Sequence, residues 1–166
     1  MTEQEQIAYV QLNYTNISFI EHPSEAVQLA AIKRSGSAIK YIKDPSEKIK
    51  LAAIKQDGYA IEFIKDPSDT LKLIAVRRNP YAIQTIKSPS KVLQLVAVKL
   101  SGLVIKYIEN PNEIIKLAAV KQRGIAIVHI ENPSEAIQLA AVNQDADAIA
   151  YIDKPCEKVR LLQLFS

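Results

Sequence analysis

An uninterrupted 22-residue period runs along the chain and constrains its fold more than any other feature of the sequence. Proline recurs at one position of the repeat: Pro23, Pro45, Pro67, Pro89, Pro111, Pro133 and Pro155. Isoleucine recurs at another position of the same repeat: Ile17, Ile39, Ile61, Ile83, Ile105, Ile127 and Ile149. A fixed period of this length is typical of solenoid proteins, in which each repeat is one supersecondary unit that stacks on its neighbours.

The first part of each repeat has the signals of an α-helix. In the repeat that begins at Pro45, Asp44 is predicted to be the N-cap, Pro45 the first helical residue and Glu47 the partner in a capping box. The helix, called helix A, is predicted to end near Gly58, with the glycine in the left-handed conformation. The other glycines of the chain share this repeat position: Gly36, Gly102 and Gly124.

The second part of each repeat is predicted to be a short helix B. Ala60, Ile61 and Ile64 follow a helical spacing rather than the alternation of a strand. Because the segment is less than two turns long, either an α-helix or a 3-10 helix fits it. We expect no strand anywhere in the chain.

Helix A has two apolar sides, so each repeat is predicted to pack between two neighbours. Ile49 and Ala53 lie on one side, whereas Leu51 and Ile54 lie on another. The predicted fold is therefore all-α, a right-handed α-solenoid of about seven and a half two-helix repeats in a single domain, 1–166. Residues 1–22 are predicted to be an N-terminal cap repeat, 23–154 six regular repeats and 155–166 a C-terminal cap helix.

Basic residues form a ladder near the end of helix A. The formal net charge is +3, and the basic residues are concentrated between acidic flanks. One position holds a cation in five successive repeats, and these residues are the basic ladder: Lys33, Lys55, Arg77, Lys99 and Lys121. They are expected either to complement the helix dipole or to form a binding stripe for a partner. Lysines near helix starts have acidic partners three residues away, as in the Glu47–Lys50, Asp69–Lys72 and Glu113–Lys116 pairs.

A second ladder is aromatic. One position of helix B holds the aromatic row, which consists of Phe19, Tyr41, Phe63, Tyr107 and Tyr151. Tyr59 and Tyr81 lie four residues before the same position in their repeats. Such a row fits either a half-buried part of the core or a binding surface, because tyrosine has an apolar ring and a polar end.

The chain ends in a cluster of apolar residues, Leu161, Leu162, Leu164 and Phe165. These side chains are expected either to pack onto the last regular repeat or to join two copies end to end.

The sequence lacks the residue patterns of common catalytic and metal sites. His22 and His129 are separated by almost five repeats, and Cys156 is the only cysteine. No glycine-rich phosphate-binding motif is present. We therefore expect no enzymatic activity, no cofactor and no metal. The single cysteine and the lack of a signal peptide or a long apolar segment indicate a cytoplasmic protein with no membrane association.

Two stretches, DPSEKIKLAAIKQD at 44–57 and DPSDTLKLIAVRRNP at 66–80, resemble leucine-rich repeat variant proteins. That resemblance implies a superhelix that pairs an α-helix with a 3-10 helix in each repeat. AVKQRGIAI at 119–127 and AIKQDGYAI at 53–61 are similar to uncharacterised AVKQxGxAI-type helical repeats of bacterial and phage proteins. The phage resemblance implies an anti-defence or host-interaction role.

These observations predict a non-catalytic scaffold that binds a protein partner. The candidate site residues are the basic ladder together with Tyr41, Tyr59, Phe63, Tyr81 and Tyr107. An acidic protein is the expected partner. Two alternatives are nucleic-acid binding through the basic middle repeats and sequestration of a small ligand between tyrosines.

Overall fold

The computed structural model describes residues 1–164, with side chains as far as Leu162, and contains only helices within that range. Over residues 1–164, eight α-helices alternate with seven 3-10 helices of six residues each. The α-helices are α1 (Glu3–Leu12), α2 (Glu25–Arg34), α3 (Glu47–Gln56), α4 (Asp69–Arg78), α5 (Lys91–Leu100), α6 (Glu113–Gln122), α7 (Glu135–Gln144) and α8 (Glu157–Leu164). The 3-10 helices are η1 (Tyr14–Phe19), η2 (Gly36–Tyr41), η3 (Gly58–Phe63), η4 (Pro80–Thr85), η5 (Gly102–Tyr107), η6 (Gly124–His129) and η7 (Ala146–Tyr151).

Successive repeats stack on one another within each of two compact units, Met1–Lys87 and Ser88–Ser166. In the first unit, α1 packs on α2, α2 on α3 and α3 on α4, and η1 to η4 form a parallel series of contacts beside them. In the second unit, α5 to α8 and η5 to η7 pack in the same way. Contacts between like elements of neighbouring repeats confirm the predicted all-α repeat architecture, with helix B as a 3-10 helix.

The helix caps differ from the sequence prediction. Ser46, not Asp44, is the N-cap of α3, and its hydroxyl accepts a hydrogen bond from the Ile49 N–H at 3.3 Å. Glu47 is the first helical residue, so the predicted capping box does not form in this repeat. Asp44 instead has a φ of 48°, a left-handed conformation that Asp and Asn tolerate better than other side chains. The same turn precedes Pro67, Pro111 and Pro133, where the left-handed residues are Asp66, Asn110 and Asn132.

Replacing Ser46 with alanine should lower the free energy of unfolding by about 0.5–2 kcal/mol, because the Ile49 N–H loses its acceptor. Ser35→Ala is the matched control, since the Ser35 side chain makes no cap hydrogen bond at the start of η2. Urea unfolding of the two variants measures the difference. Equal losses would show that the Ser46 hydroxyl is not acting as a cap.

The glycine prediction is also wrong in its mechanism. None of the four glycines has a positive φ. A Cβ at Gly36 would lie 2.7 Å from the Ala53 carbonyl oxygen of the next repeat, and one at Gly58 would lie 2.6 Å from the Ala75 carbonyl oxygen. The Gly36 N–H also donates to the Gln56 side-chain oxygen at 2.6 Å. Glycine is therefore required for the close approach of consecutive repeats and not for a left-handed turn.

The core is built from a few repeat positions. In the third repeat, Ile49, Ala53 and Ile54 of α3 are buried. Leu51, which was expected to pack between neighbours, is only half-buried. The 3-10 helix adds Ile61, and the residue after it is the buried Ile64. Helix ends and one side of each 3-10 helix remain at the surface, and these carry the candidate site.

Candidate partner-binding surface

The cations of the basic ladder lie in the last turn of their α-helices and are all exposed. In the first unit, two arginines extend the ladder, because Arg34 and Arg78 follow it directly in α2 and α4. We call the resulting set the basic stripe: Lys33, Arg34, Lys55, Arg77 and Arg78. In the second unit, Lys99 and Lys121 occupy the ends of α5 and α6.

In the first unit, the lysines near the helix starts have acidic partners. Lys50 pairs with Glu47 at 2.8 Å, and Lys72 pairs with Asp69 at 3.2 Å, as the sequence predicted. No ion pair joins Glu113 to Lys116 among the described residues, and Glu113 accepts from the Ser134 hydroxyl instead.

Two further pairs join neighbouring repeats, Lys48 to Glu25 and Lys158 to Glu135, the latter at 2.6 Å. The hydrogen bond that the Lys158 ammonium donates to the Glu135 carboxylate raises the pKa of Lys158. These cross-repeat pairs could not be read from a spacing within one helix.

The basic stripe has no such neutralisation. Within the described residues, none of its five cations is in an ion pair. Arg78 makes one long hydrogen bond, from Nη2 to the Gln56 carbonyl oxygen at 3.5 Å. The first turn of each of these α-helices holds an acidic residue, Glu25, Glu47 or Asp69, which is stabilised by the positive end of the helix dipole. The last turn of each is basic, so charge is separated along each helix, although Asp57 follows α3 as its C-cap.

The aromatic row is neither buried nor fully exposed. Tyr41, Phe63 and Tyr107 are 39%, 36% and 37% exposed, and Phe19, in the first repeat, is 76% exposed. Each of the first three rings therefore presents a face or edge to solvent while the rest packs on its repeat.

Two lysines that the sequence analysis missed lie over these rings. The Lys40 Nζ is 6.0 Å from the centre of the Tyr41 ring and 5.7 Å from that of Phe63, so it bridges two repeats. In the second unit, Lys106 Nζ is 4.8 Å from the centre of the Tyr107 ring. Both lysines directly precede an aromatic residue, and that adjacency was the available signal. These contacts are within the distance of a cation–π interaction.

Tyr59 and Tyr81 lie at the second residue of η3 and η4, close in sequence to the end of the preceding α-helix. Both are half-buried. The Tyr59 hydroxyl lies 2.8 Å from Gln84 Nε2, which donates to it from the next repeat. Along the chain, the two tyrosines are therefore close to the helix ends that carry Lys55, Arg77 and Arg78.

Open grooves separate neighbouring 3-10 helices. In the first unit, a groove of about 500 Å³ is lined by charged residues that include Glu62, Lys65 and Lys87, and no tyrosine lines it. In the second unit, a groove of about 700 Å³ includes Tyr151 beside Glu131 and Asp153.

His129 and Cys156 are surrounded by groups of the fold itself. Burial lowers the pKa of His129, and the nearby charge of Lys106 lowers it further. The Cys156 N–H donates to the Gln138 side-chain oxygen at 2.7 Å, at the start of the last repeat. Residues 1–164 contain no group of three or more His, Cys, Asp or Glu side chains that could hold a metal ion. None of their helices combines the length and apolar character needed to cross a membrane.

The C-terminal apolar cluster is only partly described. Leu161 and Leu162 are 47% and 40% exposed. The side chain of Leu164 and the whole of Phe165 lie outside the described residues.

Comparison with protein-family models, with curated proteins and with solved structures found no match to this chain.

Proposed function

We propose that this chain is a non-catalytic repeat protein that binds an acidic protein partner through the basic stripe. The observation that carries the proposal is the separation of charge along the helices. Lys50 and Lys72, at the helix starts, are ion-paired, whereas the five cations of the basic stripe have no ion-pair partner among the described residues. Cations that only stabilised their own helices would need one charge per helix end, but α2 and α4 each end in two.

Tyr59 and Tyr81 support the same surface. Each follows the end of an α-helix by a few residues and is half-buried, so its ring is held in place while part of it faces solvent. Tyrosine and arginine are enriched at protein interfaces, where a rigid ring loses little entropy on binding. A partner that offers carboxylates to the stripe would also contact these rings.

Charge reversal tests the proposal with a matched control. The test variant is Lys33→Glu, Lys55→Glu and Arg77→Glu. The control is Lys43→Glu, Lys65→Glu and Lys87→Glu, which are exposed, have the same 22-residue spacing and cause the same change in net charge. The chain and both variants are used to capture partners from nuclease-treated native lysate, and association rates with the captured protein are then measured at several salt concentrations.

We expect the test variant to lose the partner or to associate at least ten times more slowly, and the control to bind like the original chain. The association rate of the original chain should fall as added salt shortens the screening length to about 10 Å and below. Melting curves of all three proteins should be similar, because exposed charges contribute little to folding. An unchanged association rate together with a large loss of stability would show that the ladder serves only the helix ends.

Nucleic-acid binding is the second candidate, and it is favoured by Arg77, Arg78 and Tyr81, which are close along the chain in the first unit. Arginine contacts phosphate groups and tyrosine can stack on bases. However, cations separated by one helix-packing distance, about 8–10 Å, do not match successive phosphates along a strand. A shift of labelled single- or double-stranded probes at low salt, abolished by the test variant, would favour this candidate over a protein partner.

An anti-defence or host-interaction role, in the cytoplasm, belongs to the same proposal. The phage-type repeats that the sequence resembles support it, and binding without catalysis is the means by which such a protein would inhibit a target. The captured partner identifies the target directly.

A further inference from the structure

An acidic row in the second unit has the same repeat spacing as the basic stripe. It consists of Glu109, Glu131 and Asp153, which occupy one position in three successive repeats. All three are exposed, and none is in an ion pair among the described residues. In the first unit the same position holds Glu21 and then three lysines, Lys43, Lys65 and Lys87. The position is therefore mostly basic in the first unit and acidic in the second.

The residues around the acidic row leave it negative. Asn110 and Asn132 follow the two glutamates and are uncharged, whereas Lys154 follows Asp153. Lys116 lines a groove with Glu131 and is half-buried. Glu109 and Glu131 thus have an uncharged neighbour in the turn, whereas Asp153 has a neighbouring lysine.

Two exposed aliphatic side chains lie at the helix starts that follow this turn position. Val92, in the helix that follows Lys87, is 73% exposed, and Ile114, in the helix that follows Glu109, is 67% exposed. At the same repeat position the other repeats have small or polar residues: Ala26, Lys48, Thr70, Ala136 and Lys158. Exposed aliphatic residues in consecutive repeats are a feature of contact surfaces more than of a solvated face.

We infer that the acidic row of one copy docks on the basic stripe of a second copy. Lys33, Lys55 and Arg77 recur once per repeat, as do Glu109, Glu131 and Asp153. Because both rows follow the packing distance between like helices, about 8–10 Å, they match rung for rung when two copies lie side by side. Val92 and Ile114 supply the apolar part of the contact, opposite the ring faces of Tyr59 and Tyr81.

Each copy offers both an acidic row and a basic stripe, so two copies can make the contact twice in a symmetric pair. Where a copy instead gives its row to one neighbour and its stripe to another, the association is heterologous and builds rings or open filaments. Exposed ion pairs contribute little each and are screened by salt, so the assembly is weak and depends on concentration and ionic strength. This inference rests on the proposed function, because it identifies one acidic partner of the stripe as a second copy of the chain.

The test uses two variants of the full chain. Variant one reverses the stripe, with Lys33→Glu, Lys55→Glu and Arg77→Glu, and variant two reverses the row, with Glu109→Lys, Glu131→Lys and Asp153→Lys. Sedimentation velocity measures the average mass of each protein over a range of concentrations at low and at high salt. Melting curves establish that each variant is folded.

The original chain should increase in average mass with concentration at low salt and return to a monomer at high salt. Each variant alone should remain monomeric, because like charges now face each other. A mixture of the two variants should associate again, since the reversed stripe of one is complementary to the reversed row of the other. Rescue by mixing cannot come from misfolding of either variant.

A monomeric original chain at all concentrations and salts would overturn the inference, as would association that neither variant changes. The proposed function is separated from it by variant two, which keeps the basic stripe. If variant two still captures a foreign acidic protein while the original chain stays monomeric, self-association fails and the proposed function stands. If variant one also captures that protein as well as the original chain does, the proposed function fails too.

Discussion

Replacing Ile49 with alanine should lower the free energy of unfolding by about 2–5 kcal/mol. Ile49 lies in α3 and is 1% exposed. α3 packs on α2 and α4 and on the 3-10 helices η2 and η3, so it is enclosed on several sides. Removing three carbons there leaves a cavity that these elements can close only by shifting together, and the cost combines lost burial with the empty volume.

The matched control is Leu51→Ala, two residues away in the same helix. Leu51 loses the same number of carbons but is only half-buried. Leu51→Ala should lower the free energy of unfolding by about half as much as Ile49→Ala, or less. The substitution removes less buried apolar area and leaves no closed cavity. Urea unfolding measures both values. The dependence of the unfolding free energy on urea concentration should be the same for both variants as for the original chain. Equal losses would mean that the leucine position is as enclosed as the isoleucine position.

Replacing Gly58 with alanine should destabilise the chain by about 1–3 kcal/mol, although alanine is the better helix former by about 1 kcal/mol. The new Cβ would lie 2.6 Å from the Ala75 carbonyl oxygen and 3.0 Å from the Asn79 Cβ. Both atoms belong to the end of α4 in the next repeat, where the Asn79 N–H donates to the Ala75 carbonyl oxygen at 2.8 Å. No flexible side chain can move aside, so α4 must shift from η3.

Two further variants separate close approach from backbone conformation. Gly58→Asn would be tolerated at a left-handed position, but it should cost at least as much as Gly58→Ala here, because it also brings a Cβ against Ala75. Ala146→Gly tests the same repeat position in η7, where an exposed alanine is already accommodated, and it should change stability by no more than about 1 kcal/mol. Thermal and urea unfolding measure all three; a well-tolerated Gly58→Asn would restore the left-handed interpretation.

Much of the candidate surface was readable from the sequence because the repeat is strict. Lys33, Lys55 and Arg77 share a repeat position, so their common place near the end of helix A followed from the period alone. Their lack of ion pairs did not follow. Lys48 pairs with Glu25 of the neighbouring repeat, and Lys40 lies over both Tyr41 and Phe63. Such contacts depend on which side chains neighbouring repeats bring together, and only the packing determines that.

The sequence by itself determined the 22-residue period, the all-helical composition and the division of each repeat into a longer and a shorter helix. Those features depend on the spacing of apolar residues and on the residues that begin or end helices. Both are local signals, so the order of residues along the chain is enough to predict them. The tertiary structure alone decided that Ser46 caps α3 while Asp44 forms the turn, because the two residues compete for one helix start. It also decided why glycine is needed at Gly58. The space for a side chain there is taken by the Ala75 carbonyl oxygen, an atom of the next repeat.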